Sequence, residues 1–211
     1  MKSLRVTAGA LVCLALATFL HASGWLYFGL GVLHDESIWH DEGGYVTQDN
    51  KKSAEYYRLA ADKVLAPAQY NLGVAYERGD GVQQDYAEAV LMYQSAANQG
   101  LAIAQHNLAI LYGSGRGVPK NYIEAARLYR LAAEQGFAQS QRNLGAMYDK
   151  GLGITADVVR AYMWSSMSAN AGNADARINY ENLALRMTSE QLANAQKLVA
   201  ECSERKFKGC D

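Results

Sequence analysis

The chain has 211 residues, half of them hydrophobic, and a formal net charge of −1 from 20 basic and 21 acidic side chains. That length fits one domain able to fill its own core, and the near-neutral balance argues against a nucleic-acid partner, which wants a basic footprint. No Gly/Ser/Pro-rich linker or low-complexity stretch divides the sequence.

Residues 1–24 read as a signal peptide. Lys2 and Arg5 form a positive start, Val6 to Leu20 is a largely apolar run of 15 residues, and Ala22-Ser23-Gly24 supplies small residues for cleavage. Cleavage before Trp25 fits this pattern, and cleavage after Ala22 is a second option. The competing reading is an uncleaved N-terminal membrane anchor over Val6 to Leu33, because Trp25 to Leu33 is also largely apolar. Both readings export the rest of the chain. The basic residues precede the apolar run, Asp35, Glu36, Asp41 and Glu42 follow it, and no Lys or Arg appears until Lys51. The expected compartment is therefore the periplasm, with the repeats either free there or anchored to the inner membrane. Lys2 and Arg5 are the only charges among residues 1–24, so their removal takes the formal charge from −1 to −3.

Residues 25–65 read as a degenerate N-terminal capping repeat. Gly43, Val46 and Asp49 stand 36 residues ahead of Gly79, Val82 and Asp85, and Tyr57-Arg58-Leu59-Ala60-Ala61 repeats as Tyr129-Arg130-Leu131-Ala132-Ala133. The second helix of this unit is well patterned. Its first helix is poor, since Glu36 and His40 fall in the columns of Leu72 and Tyr76. His34-Asp35-Glu36 and His40-Asp41-Glu42 imitate a metal motif, but histidines six apart face different sides of a helix. An acidic, solvated entry is expected there, and no metal.

Residues 66–173 hold three full units, 66–101, 102–137 and 138–173. Gly79-x-Gly81-Val82-x-x-Asp85 returns as Gly115-x-Gly117-Val118-x-x-Asn121 and as Gly151-x-Gly153-Ile154-x-x-Asp157. A fixed period of this size means stacked units, each unable to bury its apolar face alone. Ala68, Leu72, Ala75 and Tyr76 line one face of a first helix. Gly79, Gly115 and Gly151 suit a left-handed cap. The second glycine lets the chain reverse, and Asp85, Asn121 and Asp157 suit the N-cap of a second helix. Tyr86, Ala89, Tyr93, Ala96 and Ala97 then give large-into-small packing between antiparallel helices.

Residues 174–211 read as C-terminal capping helices and a tail. Thr188-Ser189-Glu190-Gln191 is a capping box that opens a helix from about Ser189 to about Ser203. Outside the leader the cysteines are Cys202 and Cys210. In an oxidising compartment they pair, closing a short loop; free thiols are the alternative. Their spacing is not that of a zinc site.

These columns resemble the Sel1-like repeat, a relative of the tetratricopeptide repeat. The resemblance implies an all-α, right-handed helical-hairpin solenoid whose common role is to hold partner proteins together. Similar ends, with a Met-Thr-x-Glu-Gln helix and a closing cysteine pair, occur in exported bacterial proteins of this type.

The resemblance also places the residue before the Leu-Gly pair on an inner groove. Asn71, Asn107, Asn143 and Asn179 occupy that column, and Tyr70, His106 and Arg142 vary beside it. A ladder of amides, each both donor and acceptor, suits an extended peptide, with the varying column setting specificity. The alternative is that the asparagines tie adjacent helices together. No cofactor is expected, because the Gly-x-Gly turns join helices and lack a following Lys-Ser/Thr, and no Ser/His/Asp or Cys/His set stands out. The expected function is a non-enzymatic, exported adaptor holding a protein partner or an extended peptide. A cell-wall-fragment binder, or an envelope hydrolase using the same groove, is the alternative.

Overall fold

The computed structural model describes residues 24–35 and 49–210. The expected leader and residues 36–42 of the duplicated His-Asp-Glu motif lie outside them. Among the described residues ten helices form and no strand: α1 (Trp25–Asp35), α2 (Asn50–Ala61), α3 (Ala66–Arg78), α4 (Tyr86–Asn98), α5 (Ala102–Ser114), α6 (Tyr122–Ala133), α7 (Ala138–Lys150), α8 (Val158–Asn170), α9 (Ala174–Ala184) and α10 (Ser189–Glu204).

The repeated side chains set the helix ends. Asp49, Asp85, Asn121 and Asp157 each accept a backbone N–H from the first turn of the helix they open, satisfying one of its orphan donors. The N–H of the last three also bonds the carbonyl of the tyrosine that closes the preceding helix, Tyr76, Tyr112 or Tyr148, at 2.9–3.0 Å. The connecting loop is thereby pinned at both ends. Its second glycine does more than reverse the chain. A Cβ on Gly153 would stand 2.2 Å from the Tyr122 carbonyl oxygen, so the loop of one repeat lies directly on the start of the previous repeat's second helix.

The chain divides into two compact units, residues 1–95 and 96–211, with the division in the last turns of α4. The first unit corrects the expectation for the entry repeat. Its first helix is well formed, and it lies six residues earlier than the 36-residue register requires. Leu30-Gly31 takes the place of Leu72-Gly73, and the extra residues lie between Asp35 and Asp49. The Tyr57 ring rests on Gly31, where a Cβ would stand 2.5 Å away. Phe28 packs on Tyr57 at 6.0 Å between centroids, and Ser53 Oγ donates to the Gly31 carbonyl at 3.0 Å. Fixed-period alignment misses a helix displaced by a longer loop.

In the second unit α6 packs on α5 and α7, and α8 on α7, α9 and α10. Leu108, Leu111, Leu128, Leu144, Met163 and Trp164 are all under 2% exposed, and each such side chain contributes about 1.5–3 kcal/mol when buried. Gln105 and Gln141 are buried with them and donate to the carbonyls of Ala97 and Ala133, at the ends of the preceding helices. Arg130 donates to the Tyr148 hydroxyl at 3.1 Å, and in the first unit Arg58 does the same to Tyr76. The capping box at Thr188 and Gln191 opens α10. Beyond that helix a disulfide joins Cys202 and Cys210, and the intervening Phe207 ring lies against Gly136.

Candidate functional site

The tyrosine column that fills the space behind each first helix runs Tyr57, Tyr93, Tyr129 and then Ser165. Where the ring is lost, a cleft of about 340 Å³ opens between α7, α8 and α9. Ser165 is 1% exposed and lines the cleft, and its hydroxyl, buried beside Gly145, has no hydrogen-bond partner among the described residues. Asn143 and Asn179 reach the same cleft from α7 and α9, joined by Asn182. The local reason is helical geometry. Leu144 is fully buried, so the residue before it sits about 100° around the helix, at the rim of the buried face. Tyr180 does the same for Asn179 by packing edge-on against Tyr162 at 5.5 Å.

Charge surrounds these amides. Arg142, Lys150 and Arg186 line the cleft with a single carboxylate, Asp149. Arg142 donates to Asp175 at 2.8 Å and Arg186 to Asp149 at 2.6 Å, both as partly exposed pairs.

The other expected residues lie elsewhere. Asn71 borders a small cavity of about 70 Å³ in the first unit, with Asn50, Ser53, Arg78 and Asp80. Asn50 Oδ1 is buried there without a partner. Tyr70 packs against Tyr93, with ring centroids 5.8 Å apart. Asn107 does not line the cleft. Asn143 shares a hydrogen bond with the Tyr129 hydroxyl, so this member of the column ties helices together as well as facing the cleft.

His106 is a packing residue. Its ring sits 5.1 Å from Phe137 and 5.5 Å from Tyr129, and a 2.8 Å hydrogen bond joins its Nδ1 to the fully buried Ser140 hydroxyl. Burial, assisted by the Arg142 guanidinium, lowers its pKa from 6.5 to about 4, so the imidazole is neutral in the fold. Burial raises the Tyr129 phenol above its ordinary value.

Sequence reasoning passed over Ser165, Asn182 and Arg186. The signals were present: a large-to-small change in the tyrosine column, and positions 36 residues beyond Ala146 and Lys150. It also passed over the glutamines at 69, 105 and 141, a polar residue recurring at the same buried position. Among the described residues no group of three or more His, Cys, Asp or Glu is placed to hold a metal ion, and no helix is long and apolar enough to cross a membrane.

The model of the Sel1 repeat matches residues 27–64, 66–101, 102–137 and 138–173. Among solved structures, the chain is similar to c5321, a protective antigen present in uropathogenic Escherichia coli strains that displays an SLR fold. Identity is 36% and the TM-score 0.69, over 76% of this chain and 33% of that one. It is similar also to a Sel1 repeat protein from Oxalobacter formigenes, at 30% identity and a TM-score of 0.66, over 88% of this chain and 68% of that one. The chain thus spans a third of the length of the E. coli protein. No curated protein matches it. The all-α helical-hairpin solenoid that the resemblance implies is the fold found.

Proposed function

The chain belongs to the Sel1 repeat family, whose repeats generally mediate protein–protein interaction, and on that premise we propose that it is an exported, non-enzymatic adaptor. It holds a partner protein, or an extended segment of one, in the cleft between α7 and α9. The observation that carries this reading is the convergence of Asn143, Asn179 and Asn182 on one cleft. Carboxamides present a donor and an acceptor together, which is what an extended backbone requires. The site is built on packed helices, so little receptor ordering is lost on binding.

One feature argues against a retained anchor and another supports export. Trp25 to Leu33, the segment that would complete a membrane anchor, belongs to a helix that packs on Tyr57 through Phe28 and Gly31. The disulfide at the C-terminal end suits an oxidising compartment. Gly24 is buried, close to Ala60 and Lys63, and its carbonyl accepts from Phe28 N–H at 2.9 Å. Cleavage after Ala22 keeps these contacts, whereas cleavage before Trp25 discards them. Kinship with a protective antigen accords with export.

Crosslinking in intact cell envelopes followed by mass spectrometry tests the proposal, with Asn179→Ala as control. The expected result is a protein adduct that the variant loses and a mature N-terminus at Ser23. Cell-wall fragments bound without any protein adduct would refute the adaptor reading.

A further inference from the structure

We propose that a second pocket, between α6 and the start of α8, receives an acidic side chain of a partner protein. It shares no residue with the asparagine cleft and goes beyond the reading given above.

The pocket has a volume of about 460 Å³ and is walled by α6, the loop between α7 and α8, and the first turn of α8. Three observations point to a single carboxylate. The first is orientation. Arg130 donates to the Tyr148 hydroxyl at 3.1 Å, and the Tyr148 carbonyl accepts from the Asp157 N–H at 3.0 Å. The Asp157 carboxylate in turn accepts from Arg160. Tyr148 is 6% exposed, so one buried residue anchors both guanidiniums on the pocket. A guanidinium carries five N–H donors in a rigid fork, so it can hold a neighbour and a carboxylate at once.

The second is charge. Arg130 and Arg160 line the pocket with Asp157, two bases against one acid, which matches one carboxylate. Arg160 breaks the repetition, because the same position holds Glu88 and Glu124 in the first two full units. The equivalent pocket near the chain's start gives the contrast. It is larger, about 670 Å³, and is built from the same columns around Arg58 and Tyr76, but there Lys51 and Arg58 meet Glu55 and Asp85. Its lining charges balance. The third is the wall. Ile154 offers apolar surface for side-chain methylenes, and Thr155 brings a hydroxyl that can donate to the carboxylate they carry.

The test titrates N-acetylated, amide-capped Ala-Glu-Ala into the isotope-labelled mature chain, with capped Ala-Gln-Ala and inorganic phosphate as comparison probes. The readout is the Nε–Hε NMR signals of Arg130 and Arg160 and the backbone amide of Thr155. The proposal predicts shifts from the Glu peptide that saturate at roughly millimolar concentration, and none from the Gln peptide. Asp157→Asn removes the resident carboxylate but keeps a helix cap, as Asn121 does in the preceding unit, and tightens the Glu peptide about threefold. Arg160→Glu, which restores the residue of the first two full units, abolishes the shifts, and Arg58→Gln in the equivalent pocket leaves them unchanged. Asp157→Asn reports even if Arg160→Glu does not fold. No shift from the Glu peptide, equal shifts from the Gln peptide, or an unchanged affinity in Asp157→Asn overturns the proposal. Shifts from phosphate without shifts from the Glu peptide overturn it too, in favour of a phosphate site. None of these outcomes touches the asparagine cleft, which stands or falls on its own crosslinking experiment.

Discussion

Ser165 and His106 show how single positions within a periodic array acquire separate roles. At 165 the column's ring is lost, which opens space and leaves a hydroxyl unpaired. At 106 a polar side chain is drawn inward, where it bonds Ser140 and loses its solvent. The histidine has a measurable consequence. Its folded pKa, about 4, lies below the ordinary 6.5, so folding opposes protonation. The stability it secures is fully present above pH 6.5 and is lost as the pH falls toward 4. Urea unfolding at pH 7 and pH 5 should therefore show a loss of about 2 kcal/mol from this group, and His106→Gln should flatten the difference. Equal pH dependence in the two proteins would mean that the imidazole titrates normally. Asp157 acts in a lower window. Burial alone would raise its pKa, but hydrogen bonds from Arg160 and Val159 outweigh that and hold it below the usual carboxylate range.

Element ends carry the next level of explanation. The residue that stops each second helix is left-handed, with φ of 88°, 82° and 91° at Gly100, Gly136 and Gly172. In the entry repeat the same place is held by Val64, at φ 61° and 65% exposed. A β-branched residue there is strained, so Val64→Gly should stabilise the protein by about 1 kcal/mol in urea unfolding. An unchanged or lower midpoint would show that the strain is absent. At the other end, the disulfide closes a loop with a sequence separation of eight and keeps Phe207 against Gly136. Reduction should cost about 2.5 kcal/mol on the loop-entropy account, and Cys202→Ser/Cys210→Ser should match the reduced protein. A reductant-independent melting temperature would contradict this. Caps and turns were legible in the sequence, because each is a local choice that recurs. The displaced helix α1 was not, because loop length is free to vary while packing on Tyr57 is kept.

At the scale of the molecule, the repeat period revealed the architecture, since stacking demands the same residue at the same place each time. The site was only half legible. The asparagine column pointed to Asn143 and Asn179, but it could not show that Asn143 also bonds Tyr129, or that Asn71 and Asn107 lie away from this cleft. Nor could it show that Ser165, which stands where the column has a ring, lines that cleft, because a cavity is a property of what surrounds it. Most of the repeat is spent on holding neighbours together, through buried glutamines and Arg–Tyr bonds, and the cleft lies where the repetition breaks. This break is where a partner protein is expected to be captured. The most direct measurement places a photo-reactive amino acid at Asn182, exposed beside the cleft on α9, and for comparison at the exposed Arg127 on α6, in intact cells. The expected result is a discrete protein adduct from position 182 that is missing from position 127. Equal labelling from both positions, or adducts with cell-wall material alone from position 182, would contradict it.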